Sequence, residues 1–274
     1  TDLGSVLSRD DVHAIIIATP DDTHESIAVL ALAAGKAVML QKPMAPDSNA
    51  CRRIIANART ARANLQVSFM HRYFDEFLAA RRFVSDGAIG EVTSVRIRNA
   101  TPGPDWADWF FRKNRVSGGV VLQLGVHGID LLLQICGPVA AVAATTSIQR
   151  PERELADGRV VAVENPDSAW ATYFMQSGPV VSHEMSMIES AGCDRFRMEI
   201  YGARGTIWLR SERGPLAIFR SGKGWESPEL PQSAFGLRQH QRWIDGILGR
   251  EAPESTAEEA LSGILVAEGI ARSS

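Results

Sequence analysis

Two residues of this chain carry chemistry suited to a reaction at a hydroxyl group, Lys42 and His127. Lys42 follows a short apolar segment and precedes Pro43, and an ammonium group there can donate a hydrogen bond to a substrate oxygen and stabilise alkoxide charge. The imidazole of His127 belongs to a type that titrates near neutrality, which suits a proton acceptor. A surface Lys and a His on an apolar helix are more often structural residues. The residue types alone therefore leave both roles open.

Gln123 and Asp130 flank His127 at helical spacing. Residues three and four positions apart lie on one face of a helix, so the three side chains share a face. A glutamine can hydrogen-bond a substrate hydroxyl or His127, but it cannot take a proton or supply charge. We expect Asp130 to orient its neighbours or to have a structural role rather than to act as the base.

Short apolar segments alternate with helical patterns in the part of the chain that contains Lys42. The apolar segments lack polar alternation, which is typical of strands covered on both faces. The predicted strands are 14–18, 37–40 and 65–69, and the predicted helices are 27–34 and 47–63. This order is typical of a doubly wound parallel sheet. Lys42 then lies at a strand end, where open α/β sheets bind their ligands.

The pattern changes after about residue 74, where most segments alternate between polar and apolar residues. We predict helices at 77–84, from after Gly119 to about 135, at 237–248 and at 257–272. The predicted strands are 92–97, 139–146, 168–175, 180–187, 197–201, 206–210 and 216–219. A charged loop is predicted at 150–165. The fold class is therefore α/β. Residues 1–72 form a partial doubly wound parallel sheet, and residues 73–274 form an α+β domain with an open, mostly antiparallel sheet.

Composition excludes several classes of protein. The chain has 274 residues, is 45% hydrophobic and 22% charged, and carries a formal net charge of −3, which argues against nucleic acid or an anionic membrane surface as a partner. No apolar stretch approaches the roughly 20 residues of a membrane helix. The three cysteines, Cys51, Cys136 and Cys193, are widely spaced without nearby histidines. We expect buried free thiols in a reducing cytoplasm and no metal centre.

Several short motifs occur in one order along nearly the whole chain: residues 10–20, His24, residues 34–36, 41–43 and 85–92, then Gly118, Gly119, Gly125, His127, Asp130 and residues 257–260. In this order the chain resembles the glucose–fructose oxidoreductase, inositol dehydrogenase and rhizopine-catabolism (Gfo/Idh/MocA) family. The resemblance implies a Rossmann domain that binds NAD or NADP. It also implies a second domain that binds substrate and makes homo-oligomer contacts through its antiparallel sheet.

The resemblance assigns roles to particular residues. It implies catalytic Lys42, His127 and Gln123, cofactor contacts from Thr19, Pro20, Asp21, His24, Gln41 and Lys42, and substrate contacts from Gln123 and His127. Two further candidates for substrate contact come from position alone: Arg72 follows the third predicted strand, and Trp109 lies just before the helix that carries His127. Three positions depart from the family: Gln41 replaces the common Glu, Gln123 the usual Asp, and Asp21 the frequent Asn. Asp21 is alternatively a helix N-cap. Trp109 belongs to an aromatic cluster that either holds substrate or packs within its own loop.

The family's first strand and its glycine-rich phosphate loop would precede Thr1, and no glycine cluster here opens a suitable helix. The residues that select NAD or NADP would also lie there, so the choice stays open. Without the first strand, residues 14–18 would form an unprotected sheet edge. Either the chain is a fragment of a longer protein, or a partner chain covers that edge. The aggregation hazard of an open edge favours the fragment.

The resemblance implies an oxidoreductase that transfers a hydride between NAD(P) and a hydroxyl or carbonyl group of a small sugar, cyclitol or cyclic diol. His127 would exchange the proton, while Lys42 and Gln123 hold the reacting oxygen. The departures at Gln41 and Gln123 keep two alternatives open. One is a redox-inactive ligand-binding or assembly protein. The other is a lyase or epimerase that oxidises its substrate transiently.

Overall fold

The structure is a computed structural model that describes residues 2–190, 195–252 and 254–274. The first part contains the strands β1 (Ala14–Ile17), β2 (Ala37–Gln41) and β3 (Leu65–Ser68) and the helices α1 (Leu3–Leu7), α2 (His24–Ala33) and α3 (Ser48–Ala61). The strands form a parallel sheet in the order β1-β2-β3. The predicted parallel sheet is confirmed, and α1 is an additional short helix.

The burial of β2 explains its uninterrupted apolar sequence. It lies between two strands, and residues 37–40 are all buried. The outer strand β1 pairs with β2 alone in the described residues, and its Ile16 is 49% exposed. Helix α3 begins at a side-chain cap, because Asp47 accepts a hydrogen bond of 2.8 Å from the backbone N–H of Ala50.

The second part is an eight-stranded sheet covered on one side by helices. Its strands are β4 (Val92–Ala100), β5 (Val139–Ser147), β8 (Ser168–Met175), β9 (Val180–Ser186), β10 (Arg197–Gly202), β11 (Gly205–Ser211), β12 (Gly214–Arg220) and β13 (Gly224–Glu226). The order is β13-β12-β11-β10-β4-β9-β8-β5, with β4 and β9 parallel and every other pair antiparallel. The predicted open, mostly antiparallel sheet is confirmed.

The prediction of a loop at 150–165 is wrong in part. Strands β6 (Glu152–Glu154) and β7 (Val160–Ala162) form a small hairpin within it. Val161 and Leu155 are buried with Phe111 in a separate small apolar cluster. Glu152 and Glu154 face outward while the charged Arg153 between them is buried, so the short alternation is not visible as a polar–apolar pattern in the sequence.

The remaining helices are α4 (Asp75–Ser85), α5 (Val126–Cys136), α6 (Phe235–Ile247) and α7 (Ala257–Ser273). A π-helical segment, Val121–Gly125, leads directly into α5. Gly125 and Gly128 allow this helix to lie close against β4 and β9. A Cβ atom at Gly125 would come within 2.3 Å of the Met185 sulfur, and one at Gly128 within 2.4 Å of Asn99 Oδ1. The glycines of the predicted helix are thus required by packing.

None of the helices in the described residues combines the length and apolar character needed to cross a membrane. Among the same residues, no three metal-ligating side chains form a cluster. Cys51 and Cys136 are buried free thiols, and Cys193 lies outside the described residues.

Candidate active site

The carboxyl ends of the three parallel strands each supply one side chain to a single group. Asp21 lies shortly after β1, Lys42 directly follows β2, and His71 lies in the turn after β3. Open α/β sheets bind ligands in the crevice at this end. The π-helical segment and α5 of the second part contribute Gln123 and His127, so the group lies where the two parts meet.

Lys42 contacts the π-helical segment directly. Its Nζ donates a hydrogen bond of 2.6 Å to the backbone carbonyl oxygen of Gln123. Single-turn π segments occur frequently at functional sites, where the altered bonding pattern redirects backbone groups. Burial lowers the pKa of the Lys42 ammonium to about 8, and the charge of Asp21 acts in the opposite direction. Lys42 therefore titrates near neutral pH.

The side chain of Gln123 bonds to Asp21. Its Nε2 donates a hydrogen bond of 2.6 Å to Oδ2 of Asp21, which is 4% exposed. Burial raises the pKa of the Asp21 carboxyl, and the nearby His24 and Lys42 oppose that shift. The N-cap interpretation of Asp21 is wrong. The turn Asp21–Thr23 has Pro20 as its N-cap, and α2 has Thr23.

His24 joins the loop after β1 to the turn after β2. Its Nδ1 lies 3.0 Å from the carbonyl oxygen of Pro43, and its Nε2 lies 2.9 Å from that of Thr19. The ring is 1% exposed. Both ring nitrogens are thus occupied by backbone, so His24 positions the segments that carry Asp21 and Lys42.

His127 stacks on a second histidine, His71. The ring centroids are 4.1 Å apart with an interplanar angle of 23°. Both Nδ1 atoms are buried without a hydrogen-bond partner among the residues that the structure describes. Burial lowers the pKa of His71 to about 3 and that of His127 well below its usual value. Both imidazoles are therefore neutral near pH 7, and each has an unused buried nitrogen.

Sequence reasoning missed His71 as a site residue. The signal was present, because His71 follows the third parallel strand just as Lys42 follows the second. Only the fold shows that α5 brings His127 onto its ring. The Phe74 ring also packs against His71, with ring centroids 4.7 Å apart.

Arg72 and Trp109, both predicted to contact substrate, are engaged by other protein side chains. Arg72 forms a two-pronged hydrogen-bonded ion pair with Asp130 and a further bond of 2.7 Å to Glu259, and its side chain is 7% exposed. The guanidinium is thus fully engaged by protein carboxylates, and Asp130 has the structural role expected of it. Trp109 stacks on Phe110 at 3.8 Å within its own loop.

The other residues assigned to the cofactor lie around the same strand ends. Thr19 and Pro20 form the loop after β1, where Thr19 is exposed and accepts a hydrogen bond of 2.7 Å from the Thr23 hydroxyl. Gln41 ends β2 and is half-buried. These positions border the crevice on the side of β1 and β2.

The fold and the site together define a class of two-domain proteins: a parallel α/β domain followed by an open-sheet domain, with polar side chains gathered where the two meet. Residues 1–69 match the family model described as "Oxidoreductase family, NAD-binding Rossmann fold", and residues 77–208 match the "GFO/IDH/MocA C-terminal domain". The chain belongs to the Gfo/Idh/MocA family, as the sequence motifs predicted.

Individual relatives match at moderate identity. Inositol 2-dehydrogenase of Rhizobium meliloti (strain 1021) is 29% identical over 222 residues, which are 80% of this chain and 64% of that protein. Levoglucosan dehydrogenase of Pseudarthrobacter phenanthrenivorans is 27% identical over 233 residues, which are 78% of this chain and 59% of that protein. The chain thus spans less than two thirds of the length of these two curated relatives.

A solved structure of levoglucosan dehydrogenase in complex with NADH matches with a TM-score of 0.90 at 22% identity. The match covers 100% of this chain and 80% of that one. At this identity the likeness shows the shared fold.

Proposed function

We propose that this protein transfers a hydride between NAD or NADP and a hydroxyl or carbonyl carbon of a small sugar, cyclitol or cyclic diol. One observation carries the proposal: the Lys42 ammonium at a strand end and the neutral His127, whose Nδ1 has no partner among the described residues, belong to one group. The names of the relatives, inositol 2-dehydrogenase and levoglucosan dehydrogenase, support a polyol-like substrate.

The residues present fit the nicotinamide end of such a cofactor. The loop with Thr19 and Pro20 is partly exposed at the edge of the crevice, beside Gln41 and Lys42, and this is where doubly wound sheets hold dinucleotides. When bound, the cofactor supplies the acceptor or donor of the hydride. The selection between NAD and NADP stays open, and the cytoplasmic location stays a prediction.

Three side chains, Lys42, His127 and Gln123, act on the hydroxyl group of the substrate. The Lys42 ammonium donates a hydrogen bond to the reacting oxygen and stabilises negative charge on it. The neutral imidazole of His127 accepts the hydroxyl proton during oxidation and returns it during reduction. Gln123 holds a substrate hydroxyl through its side-chain amide.

Cofactor binding tests the proposal directly. Titration of the protein with NADH and with NADPH, followed by nicotinamide fluorescence, should give saturable binding of at least one of them. Turnover of inositols, levoglucosan and related polyols should then produce reduced cofactor. Absence of binding would favour the ligand-binding or assembly alternative. Conversion of a substrate without net reduction of cofactor would favour a lyase or epimerase.

Replacing Lys42 with Met should lower kcat/KM about 100-fold, the usual effect of removing one preorganised donor. Since the Lys42 pKa is about 8, the native kcat/KM should fall as pH rises through 8, because the ammonium is lost. The variant should lack this transition. The exposed Lys223 provides the matched control as Lys223→Met. Equal pH profiles in native protein and Lys42→Met would contradict the role.

We also infer self-association through the uncovered face of the second sheet. Trp170 and Phe174 on β8 and Val180 on β9 are 58%, 45% and 45% exposed. Neighbouring exposed apolar side chains of this size often mark an interface. Trp170→Glu should therefore convert the native oligomer to a smaller species in sedimentation velocity, while Trp106→Glu, at an exposed loop position outside the strands of the second sheet, should not. A native protein that sediments as a monomer would refute the inference.

A further inference from the structure

Asp21 is a buried carboxylate whose role the proposed reaction leaves undefined. It is 4% exposed, and its Oδ2 accepts the 2.6 Å hydrogen bond from the Gln123 side chain. The two residues are 102 positions apart, and they come from different parts of the fold. Burial of a carboxylate is unfavourable unless hydrogen bonds and charges compensate it. The hydrogen bond from Gln123 therefore helps to compensate the cost of burying the Asp21 carboxylate.

The contact fixes which way the Gln123 amide points. A carboxylate only accepts hydrogen bonds, so the amide must turn its NH₂ group toward Asp21. The Oε1 atom is then directed away from Asp21, as an acceptor for another group. The amide of an unrestrained glutamine would present either end, and a hydroxyl-binding acceptor would be available only part of the time.

The backbone of the same residue holds Lys42. The Gln123 carbonyl oxygen accepts the 2.6 Å bond from Lys42 Nζ, so Gln123 connects the ammonium and the carboxylate. The charged and titratable neighbours are few. Asp21 faces His24 and Lys42, and it is the one carboxylate that acts on the Lys42 ammonium among the described residues. The two histidines, His71 and His127, are also within reach of the Lys42 charge.

We propose that Asp21 is the positioning residue of this site: it orients the Gln123 amide so that Oε1 accepts a substrate hydroxyl, and its negative charge supports the Lys42 ammonium. A carboxylate that Gln123 itself lacks is thus supplied from the loop after β1. Only one part of this inference, that Oε1 of Gln123 accepts a substrate hydroxyl, rests on the proposed function. The coupling between Asp21, Gln123 and Lys42 exists in the protein without substrate or cofactor.

Asp21→Asn removes the charge with little change of volume. We expect the Lys42 pKa to fall below its native value of about 8, by about one unit, the effect expected of a nearby opposite charge. The measurement is competitive acylation of Lys42 at a series of pH values in the full chain without ligands, read by peptide mass spectrometry. Asp22→Asn is the matched control, because Asp22 pairs with Arg115 at 3.1 Å and does not act on Lys42.

The exchange Asp21→Asn/Gln123→Asp separates positioning from general stability. It returns one carboxylate and one amide to the same pair of positions. The Lys42 pKa should return toward the native value, and kcat/KM, lowered about tenfold in Asp21→Asn, should be largely restored. Gln123→Leu should raise KM for substrate while the Asp21 charge still acts on Lys42. These variants also keep the test available if Asp21→Asn folds poorly.

An unchanged Lys42 pKa in Asp21→Asn would overturn the proposal, and so would a Lys42 pKa in the exchange variant as low as in the single variant. Neither of these pKa measurements depends on turnover. Failure of the proposed function is recognised separately, by absence of NADH and NADPH binding in a protein whose Lys42 still responds to Asp21.

Discussion

His127→Asn should lower kcat about 10²–10⁴-fold, the usual range for loss of a general acid–base group. The imidazole of His127 is neutral near pH 7 because burial lowers its pKa well below the usual value, so a ring nitrogen is unprotonated when substrate binds. Its Nδ1 is buried and unpartnered among the described residues. Asparagine preserves a polar group of smaller size but cannot accept a proton at these pH values.

The result is informative only if folding and cofactor binding are intact. The exposed His240 on α6 gives the matched control as His240→Asn, which should retain native kcat. Single-turnover measurement with a deuterated substrate should show a slowed chemical step in His127→Asn with nearly unchanged cofactor affinity. A kcat within threefold of native would exclude His127 as the proton acceptor.

The sequence predicted the architecture well because its signals were local. The uninterrupted apolar segment of β2 indicates a strand buried on both faces, and the alternation of β8 indicates a strand buried on one face. The order of the elements then determined the parallel sheet and the largely antiparallel sheet. The hairpin of β6 and β7 escaped prediction because each strand has three residues among charged neighbours, and Arg153 points inward to the carbonyl oxygen of Met187 at 2.8 Å.

The candidate site was predictable as a set of residues but not as a network. Lys42, Gln123 and His127 could be named from their motifs, and the structure brings Lys42 and Gln123 into direct contact. The bond between Asp21 and Gln123 and the stacking of His71 on His127 depend on how the two parts of the fold pack. No local pattern encodes such contacts, since the partners are remote in sequence.

Arg72 illustrates the reverse case, because it was predicted to contact substrate from its place after the third strand and instead binds protein carboxylates. The guanidinium donates to Asp130 through Nε at 2.8 Å and through Nη2, and it donates to Glu259 at 2.7 Å. Asp130 is on α5, three residues after His127, and Glu259 is on α7. Arg72 thus joins the turn after β3 to two helices of the second part, which holds α5 in the place that the site requires.

Removal of one partner from a buried ion pair leaves an uncompensated charge, so Arg72→Met should lower the free energy of unfolding by about 3–5 kcal/mol. The side chains of Arg72 and Asp130 are 7% and 3% exposed, so this ion pair is buried. The exposed pair Arg59–Glu258, with side chains 71% and 52% exposed, provides the control, and Arg59→Met should cost less than about 1 kcal/mol. Urea unfolding of the three proteins at neutral pH measures the differences.

The double variant Arg72→Met/Asp130→Leu decides whether the loss reflects the stranded carboxylate or the lost connection between the two parts. Replacing a buried pair by apolar side chains is often neutral, because the cost of desolvating the charges disappears with them. We expect the double variant to regain most of the stability that Arg72→Met loses, because Glu259 keeps its hydrogen bonds from Gln134 and the Thr256 backbone N–H. Its kcat should nevertheless stay below native, because α5 and His127 are no longer anchored by a directional contact. Full recovery of kcat would show that packing alone positions α5.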